Sequence, residues 1–153
     1  MTEGANVAGV TEEWLATAVV KESAEAIVVT DPAGIIRLWN EGAARMFGYP
    51  VEEAIGQNLD IIIPEKLRDR HWKGYFQTMA TGYTRYGDKL LSVPATHRDG
   101  QRLSIEFSVA LLRDGADQIV GISAIMREVS ERRNTERELR AKISELESRM
   151  GPA

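Results

Sequence analysis

Two periodicities divide this chain. The first is strand-like: the apolar runs IVVTD (Ile27–Asp31) and IIRLWN (Ile35–Asn40) flank the tetrad Asp31-Pro32-Ala33-Gly34. Pro presets φ and Gly tolerates positive φ, so the tetrad predicts a tight turn and the two runs a hairpin. After Asn40 the period becomes helical, with Ala43, Ala44, Met46 and Phe47 on short helical spacings, and Gly48 supplies a stop. Short helices are expected over Glu41–Phe47 and Val51–Ile55. The segment DIIIPEK (Asp60–Lys66) then crosses into a longer helix, about Glu65 to Thr81, ended by Gly82. Alternation returns in KLLSVPATHRDGQRLSIEFSVALLRD (Lys89–Asp114), where Arg98-Asp99-Gly100-Gln101 marks the turn between two antiparallel strands. Gln118–Ser130 reads as a further strand. Five strands with helices gathered between the second and third predict an α+β domain with an antiparallel sheet.

Both ends read as helix. Thr11, followed by Glu12 and Glu13, is a plausible N-cap for a helix to about Ser23, with Trp14, Leu15, Ala18 and Val19 on its apolar face. From Ser130 the chain turns charged and helix-favouring, SERRNTERELRAKISELESRM, with Ser130 expected to cap it. Leu139, Ile143, Leu146 and Met150 form a short heptad seam, while Arg132 and Glu136 occupy the preceding seam positions. Such a helix either folds back on the sheet or projects and pairs with its copy in a homodimer, the arrangement expected here. The organisation is then a tail and cap helix (1–23), a globular domain (24–130) and a terminal helix (131–153).

The 153 residues suffice for one core without covalent staples. A net charge of -4 gives no reason to expect nucleic acid. No apolar run approaches a membrane span and no export signal is visible, so a cytoplasmic protein without a membrane partner is expected. The sequence has no cysteine, which rules out disulfides, thiolate metal sites and cysteine nucleophiles. Phosphate-loop, zinc-protease and nucleophile-elbow motifs are absent, and no enzymatic role is expected.

The sharpest chemistry lies in LRDRHWKGYFQTM (Leu67–Met79). Leu67, His71, Tyr75 and Met79 follow at i+4 steps, with Trp72 and Phe76 completing an apolar arc opposite Asp69, Arg70, Lys73 and Gln77. His71 therefore points inward, where an imidazole can ligate iron through Nε2 or sit in the core satisfied by a backbone carbonyl. His97, beside the hairpin turn, is expected to be exposed, Glu106 to face outward from the sheet, and Trp39 and Trp72 to pack in the core.

The string LWNEGAARMFGY–PVEEAIGQN (Leu38–Asn58), with its preceding DxxG hairpin, its Asn, its GY and its E-x-x-G-x-N tail, resembles the opening half of a PAS domain. That resemblance implies a five-stranded antiparallel sheet with helices on one face, and a sensory module signalling through a neighbouring helix. IIPEKLRDRHWKGY is similar to the corresponding helix of haem-binding PAS oxygen sensors. The resemblance puts His71 at the proximal ligand position of haem b and Tyr75 at the following aromatic. It sets Arg85 near a propionate, Leu91 where those sensors carry a distal arginine, and Phe107 and Val109 at apolar distal positions. Leucine cannot donate a hydrogen bond to dioxygen, so the implied signals are carbon monoxide, nitric oxide or redox state. Two rivals stand beside this reading: a cofactor-free interaction module, and a domain holding flavin or another small organic ligand. The tryptophan typical of flavin-holding PAS domains has no counterpart in GYTRYGDK, and without cysteine no flavin–cysteinyl adduct or thioester-linked chromophore can form.

Overall fold

The computed structural model of the chain describes residues 9–84 and 89–151. α1 (Glu12–Glu22) is capped as expected, Thr11 Oγ1 accepting from the Trp14 N–H at 3.1 Å. β1 (Ala26–Thr30) and β2 (Ile36–Trp39) pair antiparallel. In the turn between them Asp31 Oδ1 accepts from the Ala33 and Ile35 N–H groups, and Gly34 takes a φ of 85°. α2 (Glu41–Phe47) ends at Gly48 in the left-handed conformation, and α3 (Val51–Ala54) follows. The stretch expected only as a crossing contains two 3₁₀ turns, Leu59–Ile62 and Glu65–Leu67. The long helix, α4 (Arg68–Thr81), therefore begins later than its sequence period predicted, and stops at Gly82. β3 (Leu91–Thr96), β4 (Arg102–Arg113) and β5 (Ile119–Glu128) complete one antiparallel sheet of order β2-β1-β5-β4-β3, and α5 (Ser130–Met150) closes the chain.

Asn40 ties these elements together. Buried at the start of α2, it accepts from the Ala43 and Ile27 N–H groups at 2.9 and 2.8 Å, and donates to the Val20 and Glu25 carbonyls at 2.8 and 3.1 Å. All four hydrogen bonds of its amide are thus made inside the protein. Gly42 lets the helix approach, because a Cβ there would collide with the Glu25 carbonyl.

Side chains directly opposite in an antiparallel ladder share a face. Val28, Ala124 and Val109 form one inner row, and Ala26, Met126, Phe107 and Leu91 the next. Burial is uneven along them. Ala26, Val28, Ala124, Met126, Leu103, Ile105 and Ala95 are buried with Phe47, Trp39 and Ile62. Leu91, Phe107, Val109 and Leu111, on the same face, are only half-buried.

Three expectations are corrected. Ser130 does not cap α5: it is the first helical residue, and its hydroxyl instead accepts from the Ser104 N–H at 3.0 Å while Val129 N–H donates to the Ser104 carbonyl at 2.8 Å. The junction thereby extends the β4 ladder for one step. His97 is not a free turn residue; only a quarter exposed, it packs beneath Gly48, where a Cβ would strike its ring. Phe76, placed on the buried arc of the long helix, is 50% exposed. Glu106 faces outward as expected and pairs with Arg132, which also meets Glu136 at 3.7 Å. Beyond that anchor α5 projects: Leu139, Ile143, Leu146 and Met150 are all exposed, so the helix is not folded back on the sheet. None of the helices among the described residues is long and apolar enough to cross a membrane.

Candidate functional site

α4 is laid over the inner face of the sheet by two aromatic anchors. Tyr75 is 7% exposed, and its hydroxyl donates to the Asp31 carbonyl and lies 2.9 Å from Thr30 Oγ1. A phenol has one proton, so the threonine hydroxyl is the donor in the second bond. One turn earlier Trp72 donates from Nε1 to Asp60 Oδ1 at 2.6 Å, and its ring lies where a Cβ on Gly34 would collide with it. Both anchors therefore grip the β1–β2 turn or the 3₁₀ turn beside it. Asp31 organises that turn: burial alone would raise its pKa, but the Ile35 and Ala33 N–H groups and the Arg37 guanidinium, 2.9 Å away, hold it below its ordinary value.

His71 packs against both anchors, which also touch each other. Its ring meets Trp72 edge to face at 4.6 Å and Tyr75 at 5.8 Å between centroids. Nδ1 is the buried side-chain polar atom left without a hydrogen-bond partner among the described residues. Burial lowers the His71 pKa, opposed by the Asp60 charge, so the imidazole is neutral at pH 7 and a ring lone pair is available. Burial likewise raises the Tyr75 pKa; the Thr30 bond works against it and the Asp31 charge with it.

The residues singled out from sequence thus form two groups. His71 and Tyr75 lie one turn apart on α4, while Leu91 and Phe107 stand opposite each other on β3 and β4, with Val109 at the next inner position. Tyr75, bonded to inward-facing Thr30, joins the helix to the face carrying the second group. Arg85 lies outside the described residues. Two open grooves meet at Arg127, one reaching Gly42 and Arg45 and the other Arg132 and Thr135; His71 lines neither. Among the described residues no cluster of His, Asp and Glu could hold a bare metal ion.

Sequence reasoning missed Asp60 and Thr30. Asp60 precedes His71 by three helical turns of sequence, and only the 3₁₀ turn brings its carboxylate back to α4. A family model described as the PAS fold matches residues 17–129. The chain belongs to the PAS family. Among its relatives, Sensor protein FixL of Bradyrhizobium diazoefficiens is 29% identical over 126 residues, 82% of this chain and 24% of that protein. Oxygen sensor protein DosP of Escherichia coli is 28% identical over 95 residues, 62% of this chain and 12% of that protein. Of solved structures, the PAS domain of a protein from Colwellia psychrerythraea superposes with a TM-score of 0.68 at 24% identity, covering 78% of this chain and 98% of that one. This PAS domain spans a quarter or less of the length of the curated relatives it matches. It is a sensor module of signal transduction.

Proposed function

We propose that this PAS domain holds haem b through His71 Nε2 and reports a diatomic gas or the redox state of the iron. The observation that carries the reading is a neutral imidazole, its Nδ1 sealed from solvent without a partner, on the helix that Tyr75 bonds to the sheet face carrying the half-covered apolar residues Leu91, Phe107 and Val109. A flat apolar macrocycle is the kind of ligand that would cover such a face, and a neutral imidazole is the ligand iron needs. FixL and DosP, relatives that are sensors by name and in DosP's case of oxygen, support the same reading. Bound haem would supply an iron able to take a gas ligand or change oxidation state. His71, its ring packed against Trp72 and Tyr75, would hold the iron, and Leu91, Phe107 and Val109 would keep water from it. Leu91 offers no donor to bound dioxygen, which favours carbon monoxide, nitric oxide or redox state as the signal.

The route outward begins at Tyr75. A shift of α4 loads its bonds to Thr30 and Asp31 and hence β1, which pairs along its length with β5, the strand that runs into α5. We read α5 as the output, pairing in parallel with a second copy through Leu139, Ile143, Leu146 and Met150. In that register Lys142 and Glu147 take the flanking positions where opposite charges meet across the seam. A seam this short is marginal alone, so α1, with Trp14 58% exposed, would add contact area.

The test is the absorption of the protein purified from cells supplied with a haem precursor. A Soret band carried by the wild type and lost in His71→Ala is expected. Yellow flavin fluorescence, or a colourless protein that also rejects added haem, would overturn the assignment in favour of a flavin site or a cofactor-free module.

A further inference from the structure

The outer face of the sheet carries a row of alternating charge at the end where α5 begins. Met126 stands opposite Ala26 on one side and Phe107 on the other, all facing inward. The neighbouring residues Glu25, Arg127 and Glu106 therefore fall in one outward row across β1, β5 and β4, and opposed side chains in such a ladder lie within reach of each other. Arg127 thus stands between two carboxylates. It takes Glu25, through Nε at 2.7 Å and through Nη2. Glu106 takes Arg132 of α5, whose Nε also stands 3.7 Å from Glu136, one helical turn further on. The result is a chain Glu25–Arg127–Glu106–Arg132–Glu136 in which carboxylates outnumber guanidinium groups, so one carboxylate is always spare. In this structure the spare is Glu136. Open grooves flank Arg127 on both sides and leave its exposed side chain room to swing.

We propose that Glu106 is the catch that holds α5 on the sheet, and that Arg127 releases the helix by taking Glu106 from Arg132. Arg132 then closes on Glu136, an i, i+4 pair within α5, and Glu25 becomes the spare carboxylate. Both guanidinium groups stay paired throughout. With Arg132 gone, α5 is left to the ladder step at its start, where Val129 N–H donates to the Ser104 carbonyl and Ser104 N–H to the Ser130 hydroxyl, and this step opens on release. Both cations are more than half exposed, so the two arrangements differ by no more than the small worth of such pairs, and a modest displacement suffices. Glu25 leads into β1, the strand to which Tyr75 is bonded at Thr30. A shift of β1 along β5 withdraws Glu25 from Arg127 and leaves Arg127 to Glu106. The proposal rests on the reading of α5 as the output helix, and it is independent of the ligand the domain holds.

Amide hydrogen exchange followed by NMR tests it, read at Val129 and Ser104, whose N–H groups are bonded across the junction. Glu106→Gln removes the catch and should speed both amides. Glu25→Gln, two strands away from Glu106, frees Arg127 to compete for it and should speed them too, by roughly 1.5- to 5-fold, the worth of one exposed ion pair. Arg127→Gln should slow them, and adding it to Glu25→Gln should abolish the increase. A Glu25–Arg127 pair that merely braces the sheet would leave the junction unmoved by Glu25→Gln. The amides of the β1–β5 pairing should keep their rates in every variant, which separates release from loss of the fold. Unchanged exchange in Glu25→Gln, or an increase that survives Arg127→Gln, would overturn the proposal. The exchange is read within one chain, so a monomeric protein in sedimentation would defeat the paired output helix by itself and leave the junction amides to decide the catch.

Discussion

Tyr75→Phe removes one oxygen from a buried ring and leaves the ring's packing in place, so it isolates the hydroxyl that fastens α4 to β1. That hydroxyl makes two bonds, to the Asp31 carbonyl and to Thr30 Oγ1. The two partners fare differently when it is lost. Asp31 O still accepts from the Gly34 N–H at 2.9 Å, whereas Thr30, 3% exposed, has no second partner for its hydroxyl among the described residues. One net hydrogen bond and one stranded buried hydroxyl together cost about 1–3 kcal/mol. For a chain of this size that lowers the melting temperature by roughly 3–10 °C. Urea unfolding at pH 7 should show the loss as a lower midpoint at unchanged slope. Adding Thr30→Val to the Tyr75→Phe variant should cost less than the sum of the two single changes, because it removes the stranded partner. The pH dependence adds an independent check. Tyr75 has its pKa raised above 10.0 in the fold, so above that pH the unfolded chain gives up a proton that the folded one keeps. Stability contributed by the neutral hydroxyl is therefore complete below pH 10.0 and declines as pH rises through the folded value, and Tyr75→Phe should lose this alkaline decline. A destabilisation under about 0.5 kcal/mol, strict additivity with Thr30→Val, or an unchanged alkaline decline would refute the reasoning.

Two further outcomes are expected. Leu91→Arg places a charged donor opposite Phe107; a charge-assisted bond of ~1.5–3 kcal/mol should slow dioxygen release from the reconstituted protein roughly 10- to 150-fold, as stopped-flow would show, and an unchanged rate would remove Leu91 from the distal side. Ile143→Asp with Leu146→Asp sets four carboxylates in the paired seam, so sedimentation should show a dimeric wild type and a monomeric, folded variant; a monomeric wild type or an unshifted variant would mean that α5 does not assemble the protein.

Much of the fold was legible because its punctuation is local. Asp31-Pro32-Ala33-Gly34, Gly48, Gly82 and Asp99-Gly100 each specify a turn or stop by their own backbone chemistry, and each stands where the periodicity placed it. The inward phase of His71 and Tyr75 was legible for the same reason, since a helix face is set by spacing alone. What was not legible depends on contacts across the chain. Phe76 looks buried by period, but it stacks on Trp72 with half its surface in solvent. Ser130 looks like a cap, but the Ser104 N–H, 26 residues away, claims its hydroxyl. Asp60 opens a segment that reads only as a crossing, and the 3₁₀ turn carries its carboxylate to Trp72.

The central claim is that His71 is an iron ligand, and a titration with ferric haem followed in the Soret region tests it most directly. The wild type should saturate at one haem per chain with a sharp, shifted band, and His71→Ala should give only the broad absorption of free haem. Equal uptake by the two proteins, or none by the wild type, would contradict the account.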